Sequence, residues 1–155
     1  MGLKREHSVK PIKEPGKHIM GRMILAVIVA LIVAIAIMMV VEMGNSLIIM
    51  LPSDAVMKDP AALREFMANG PVKAYIVVLI GYILAAFAAG FIVTKMSRRE
   101  SPGLTLPIIV GVLLTIGCIG NLLMLPGQPM WFAILSLISF IPVTLIGHRF
   151  AAGRF

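Results

Sequence analysis

The sequence predicts an all-α membrane protein. It has four transmembrane helices arranged as a tandem two-helix repeat, with a short amphipathic helix in the loop after the first span. Three observations carry that prediction. The 155 residues are 59% hydrophobic, with a mean hydropathy of +1.00. Only 14% are charged, where soluble domains carry about 25%. The apolar residues gather in four runs close to the ~20 residues a helix needs to cross the hydrocarbon.

Residues 1–19 form a polar, basic tail with Pro11, Pro15 and Gly16. Such a stretch cannot bury a core and is expected to be flexible. The transmembrane domain covers 20–150, and residues 151–155 are a second short tail. The first span, about 22–44, runs from Met23 to Val41 without a charge. It contains Ala34-Ile-Ala36, a small-x-small pattern, but continues apolar to Val41. A cleaved signal peptide has a shorter apolar region, so an uncleaved first span is expected. The other spans are about 74–94, 104–125 and 130–147.

The long loop 52–72 has order of its own. Asp59-Pro60 reads as an N-cap with proline at the first helical position, and Asn69-Gly70-Pro71 reads as a stop. Between them Leu63, Phe66 and Met67 share one face. That pattern predicts a helix lying on the membrane surface or capping the bundle.

Lys and Arg set the orientation. Of the 14, eleven fall on one side: Lys4, Arg5, Lys10, Lys13, Lys17, Arg22, Lys95, Arg98, Arg99, Arg149 and Arg154. Lys58, Arg64 and Lys73 fall on the other, offset by Asp54, Asp59 and Glu65. Both termini are therefore expected in the cytoplasm, with loops 52–72 and 126–129 outside. The net charge of +7 reads as a topology signal and as attraction to anionic lipid headgroups. No basic helix with interleaved aromatics points to nucleic acid.

A repeat is visible in Gly44-Asn45-Ser-Leu-Ile-Ile-Met50-Leu51-Pro52 and Gly120-Asn121-Leu-Leu-Met124-Leu125-Pro126. The spans that follow start after Pro71 and Pro129 and end with Gly90 and Gly147 ahead of basic residues. Two hairpins in the same orientation imply a pseudo-two-fold axis along the membrane normal. Glu42 and Asn45 share a helix face, as do their counterparts Cys118 and Asn121. If the first and third spans meet near the axis, these four form a polar cluster, and Gly44, Gly117 and Gly120 permit close approach. Glu42 lies twenty residues beyond Arg22, about 30 Å at ~1.5 Å per residue. It is expected at the outer boundary, with Lys73 and Arg64 as candidate partners.

Gly81, Ala85 and Ala89 recur every fourth residue, with Gly90 alongside, a face suited to close helix packing. Tyr75 and Trp131-Phe132 are expected in the outer aromatic belt. Pro142 should kink the fourth span, with Ser139 helping to satisfy the freed backbone. Cys118 is the single cysteine, so no internal disulfide can form, and it reads as a packing residue. His7, His18 and His148 lack metal spacing. No phosphate loop or nucleophile elbow is present, so no enzymatic activity, cofactor or metal is expected.

Glu42-Met-Gly-Asn45, the Asn121-to-Pro126 stretch and the four-span layout together resemble small, uncharacterised bacterial membrane proteins of four spans that carry Glu-Met-Gly-Asn at the end of the first. The resemblance covers about residues 20–150 and implies the bacterial cytoplasmic membrane without implying an activity. Small multidrug transporters are similar in having four short spans and a glutamate in the first. In those proteins the acid is deep, whereas Glu42 is terminal and its neighbours differ. The expected role is non-enzymatic: a structural or accessory subunit packing with itself or a membrane-protein partner. The alternative is a small transporter or channel with an outward-facing polar vestibule at Glu42, Asn45 and Asn121.

Overall fold

The computed structural model describes residues 16–47, 49, 52–97 and 103–153. Residues 1–15 of the basic tail, Arg98, Arg99, Arg154 and the Met50-Leu51 of the repeat lie outside them. Six helices follow in order: α1 (Gly16–Asn45), α2 (Asp54–Lys58), α3 (Pro60–Ala68), α4 (Val72–Ser97), α5 (Thr105–Met124) and α6 (Met130–Ala152). Helices α1 (from Ile19), α4, α5 and α6 are long and apolar enough to cross a membrane. The protein is an all-α, four-helix membrane protein. Helix α1 is rich in Ile and Val, which are mediocre helix formers in water. In hydrocarbon every backbone amide must find its partner within the segment, and that requirement overrides side-chain preference.

Helix α1 begins at Gly16, inside the stretch read as tail. Helix α6 passes Gly147 and ends at Ala152, where Gly153 adopts φ +67° as a left-handed cap, a conformation glycine reaches without a Cβ penalty. Helix α2, capped by Ser53, is an addition to the expected elements. Helix α3 forms as its caps dictate: Asp59 accepts from the Ala61 N–H at 2.9 Å, Pro60 opens the helix, and Leu63 is buried.

Helix α4 is the centre of the bundle. It packs on α1, α5 and α6, while α1 and α5 touch only slightly and α1 does not reach α6 among the described residues. The condition set for the polar cluster, a meeting of the first and third spans, is met only slightly, whereas the second span packs closely on the fourth and on the first. The glycines assigned to that meeting stand open, with nothing within 4 Å of a Cβ placed at Gly44, Gly117 or Gly120.

Small residues carry the real contacts. On α1, Ala26, Ala30 and Ala34 are fully buried, a stripe of three at four-residue spacing facing α4. On α4, Gly81, Ala85, Ala89 and Gly90 are all buried. A Cβ at Gly81 would stand 2.7 Å from the Val41 side chain, so this glycine accommodates α1. Gly90 serves α6 instead. Its Cβ would lie 2.0 Å from the Thr144 carbonyl oxygen, and a Cβ at Gly147 would lie 2.2 Å from that of Phe87. Each helix thus presses a glycine against the other's backbone, the close approach that van der Waals packing in lipid favours. The remaining faces carry exposed Ile, Leu, Val and Met, among them Ile28, Ile32 and Ile35 on α1 and Ile116 on α5.

Toward the other end of the same interface, rings replace glycines. Tyr75, Phe132, Tyr82 and Phe140 form a ladder that alternates between α4 and α6, with centroids 5.2, 6.0 and 5.6 Å apart. Tyr75 and Phe132 are buried, so they belong to the core and not to an aromatic belt. Only Trp131 is on the surface. Pro142 sits inside α6, but Ser139 donates to the Ser136 carbonyl at 2.9 Å. It therefore does not serve Ile138, whose carbonyl would ordinarily receive the N–H that proline lacks.

Candidate functional site

The C-terminal ends of α1 and α5 and the N-terminal ends of α4 and α6 converge under α3. They enclose a cavity of about 240 Å³. Glu42 and Asn45 reach it from α1, Tyr75 and Tyr82 from α4, Asn121 from α5 and Phe132 from α6. Sequence spacing explains why each arrives there. Glu42 and Asn45 are three apart, and Tyr75 and Tyr82 are seven apart, so each pair shares a helix face.

The cavity brings together three of the four residues proposed from the repeat: Glu42, Asn45 and Asn121. Cys118, one turn before Asn121, does not line it and is buried in the apolar core. It therefore packs the floor and contributes no polar group. Lys73 and Arg64, expected as partners of Glu42, do not line the cavity either.

Hydrogen bonding within the site is incomplete. The Asn45 Oδ1 is buried and has no partner among the described residues. Gln128 Nε2 approaches Asn121 Oδ1 at 3.5 Å, long for an amide bond. An unpaired buried amide oxygen costs about 1–3 kcal/mol, and a ligand donor or a water would relieve it.

The roof is fastened to the bundle at two points. The Tyr75 hydroxyl donates to the Met67 carbonyl on α3. In the loop between α5 and α6, Gly127 has φ +97° and abuts the Arg64 carbonyl, where a Cβ would come within 2.4 Å. Both the backbone angle and the clash exclude an ordinary side chain there. Phe66 and Met67 form the apolar ceiling.

Tyr82 and Gln128 were not singled out in the sequence. Tyr82 could have been found, since it lies one heptad beyond Tyr75 and the two are the only tyrosines in the sequence. Gln128 gave no signal within a loop of Pro and Gly. A second missed group lies at the opposite end of the bundle, where His148 is buried beside Thr94. The Thr94 hydroxyl donates its single proton to the Gly90 carbonyl at 2.7 Å. The same hydroxyl lies 2.9 Å from His148 Nδ1, a bond whose direction follows the histidine tautomer. This contact pins α6 to α4 just below the glycine crossing. Among the described residues, no group of three or more His, Cys, Asp or Glu could hold a metal ion.

No family model, curated protein or solved structure matches the chain.

Proposed function

We propose that the chain is a non-enzymatic, multi-pass protein of the bacterial cytoplasmic membrane that receives a small molecule in an outward-facing pocket beneath α3. It acts as a binding or accessory component. The observation that carries this reading is the convergence of Glu42, Asn45 and Asn121, from two different helices, on one cavity with a buried amide oxygen left open. Packing glue would pair these groups with one another. A cavity with a few convergent polar groups on apolar walls is the ordinary form of a ligand site. The excess of Lys and Arg toward the chain termini supports cytoplasmic ends and an outward pocket. The resemblance noted from the Glu-Met-Gly-Asn segment supports a bacterial membrane.

A tandem duplication underlies the layout in this reading. Phe87 precedes Gly90 by three residues, as Thr144 precedes Gly147, and each glycine meets the other helix's carbonyl at that position. This reciprocity, with Tyr75 against Phe132, supports a pseudo-two-fold axis between α4 and α6. Transport is the second reading, because the pocket has the place and polarity of a vestibule. The glycine crossing closes the α4–α6 interface below it, so transport needs that crossing to open.

Gentle purification from the native membrane, followed by mass spectrometry of what copurifies, tests the reading. The unaltered chain is expected to carry a stoichiometric small molecule, and a Val78→Trp variant, which fills the cavity, is expected to lose it. An identical profile from both proteins contradicts the reading.

A further inference from the structure

The charged lining of the cavity is one-sided among the described residues. Glu42 supplies a carboxylate there, and no lysine or arginine accompanies it. The basic residues nearest in sequence to its walls, Arg64 and Lys73, are exposed and outside the lining. The Asn45 Oδ1 is buried and open, and the Asn121 Oδ1 is held only by the long contact from Gln128. A carboxylate beside an open amide oxygen calls for an N–H donor, and a carboxylate with no cation among the described lining residues calls for one positive charge. The walls point the same way. Tyr75, Tyr82, Phe66 and Phe132 line the cavity, and aromatic faces attract cations. At about 240 Å³, the space falls below the ~300–1,000 Å³ of sites for drug-sized ligands.

We propose that the pocket, taken as the ligand site argued above, selects a small amphiphilic ammonium compound. Its charged head bonds Glu42 and Asn45, and its body, one ring or a short alkyl chain, packs on the aromatic wall. An aminophospholipid headgroup would present the same ammonium. Its phosphate, however, finds no cation among the described lining residues, which favours a free amine. Entry from the lipid has a route, because α1 and α5 touch only slightly and the cavity lies between their ends.

The test uses the full chain in phosphatidylcholine nanodiscs near neutral pH. Three probes of one shape are compared: 2-phenylethylamine, 2-phenylethanol and phenylacetate. The amine is expected to bind saturably, the alcohol at least about tenfold more weakly, and the carboxylate not at all. Glu42→Gln should weaken the amine about tenfold and leave the alcohol unchanged, while Glu42→Asp retains the preference. Replacing the lipid with phosphatidylethanolamine should leave amine binding unaltered. Competition by that lipid would reassign the ammonium to a headgroup and overturn the free-amine source. Equal binding of amine and alcohol, with Glu42→Gln silent, overturns the ammonium inference and leaves the pocket reading standing. Saturable binding of neither probe removes the pocket reading itself.

Discussion

Helices α4 and α6 meet in two different ways along one interface. Near the chain termini, Gly90 and Gly147 bring the backbones into contact, and the Thr94–His148 bond adds a polar clasp. Near α3, four aromatic rings stand between the helices, and the cavity opens beside them. Glycine lets helices approach until backbone meets backbone, whereas a ring holds them apart by its own thickness. The same two helices therefore close one end of the bundle and open the other. The difference teaches that the pocket is a product of the packing below it and not of the polar residues that line it.

The largest effect should come from breaking the closed end. Gly90→Ala places a methyl group on the Thr144 carbonyl, and the helices must separate. Overpacking of this kind costs about 3 kcal/mol, read as loss of helicity in a denaturant titration of the detergent-solubilised protein. Gly117→Ala meets open space and should change stability by no more than about 0.5 kcal/mol. Equal effects of the two would break the comparison.

Thr94→Val removes the polar clasp while keeping side-chain volume. It deletes the Thr94–His148 hydrogen bond from the buried interface, at about 1–3 kcal/mol, measured in the same titration. At the open end the sign should reverse. Asn45→Leu replaces a buried, unpaired amide with an apolar group of similar size. It is expected to raise stability by about 1 kcal/mol while abolishing ligand binding.

The smallest global change is expected from Tyr75→Phe, which releases the Met67 carbonyl and loosens α3. The cost is about 1 kcal/mol and is local. It should appear as faster amide hydrogen exchange in residues 60–70 with little change in α4 below Gly81. Uniform acceleration throughout the bundle would show that the roof and the core are one cooperative unit.

The four spans were legible because hydrocarbon imposes length and composition on any helix that crosses it, and α3 was legible because Asp59-Pro60 and Asn69-Gly70 are local signals. Helix adjacency was not legible. Glycine marks close approach without saying whose: Gly90 and Gly147 meet a neighbour, while Gly117 and Gly120 meet nothing among the described residues. The polar trio Glu42, Asn45 and Asn121 was found from the Gly-Asn repeat. Those residues converge at helix ends around a cavity, where α1 and α5 touch only slightly. Cys118 followed the repeat in register but sits one turn below the cavity floor, because a register match fixes a helix face and not a depth. His148 was passed over for lack of metal spacing, which cannot reveal a histidine that bonds a threonine on another helix.

The central claim is that one end of this bundle holds an open, hydrated pocket while the core beneath it is closed. Cysteine accessibility tests it most directly. Intact cells expressing the unaltered chain, Asn45→Cys or Asn121→Cys are treated with a small, membrane-impermeant methanethiosulfonate reagent, and adducts are counted by mass spectrometry. The account predicts one adduct on each variant and none on the unaltered chain, whose Cys118 is buried. Variants that remain unmodified, or an unaltered chain modified as fast as they are, would contradict it.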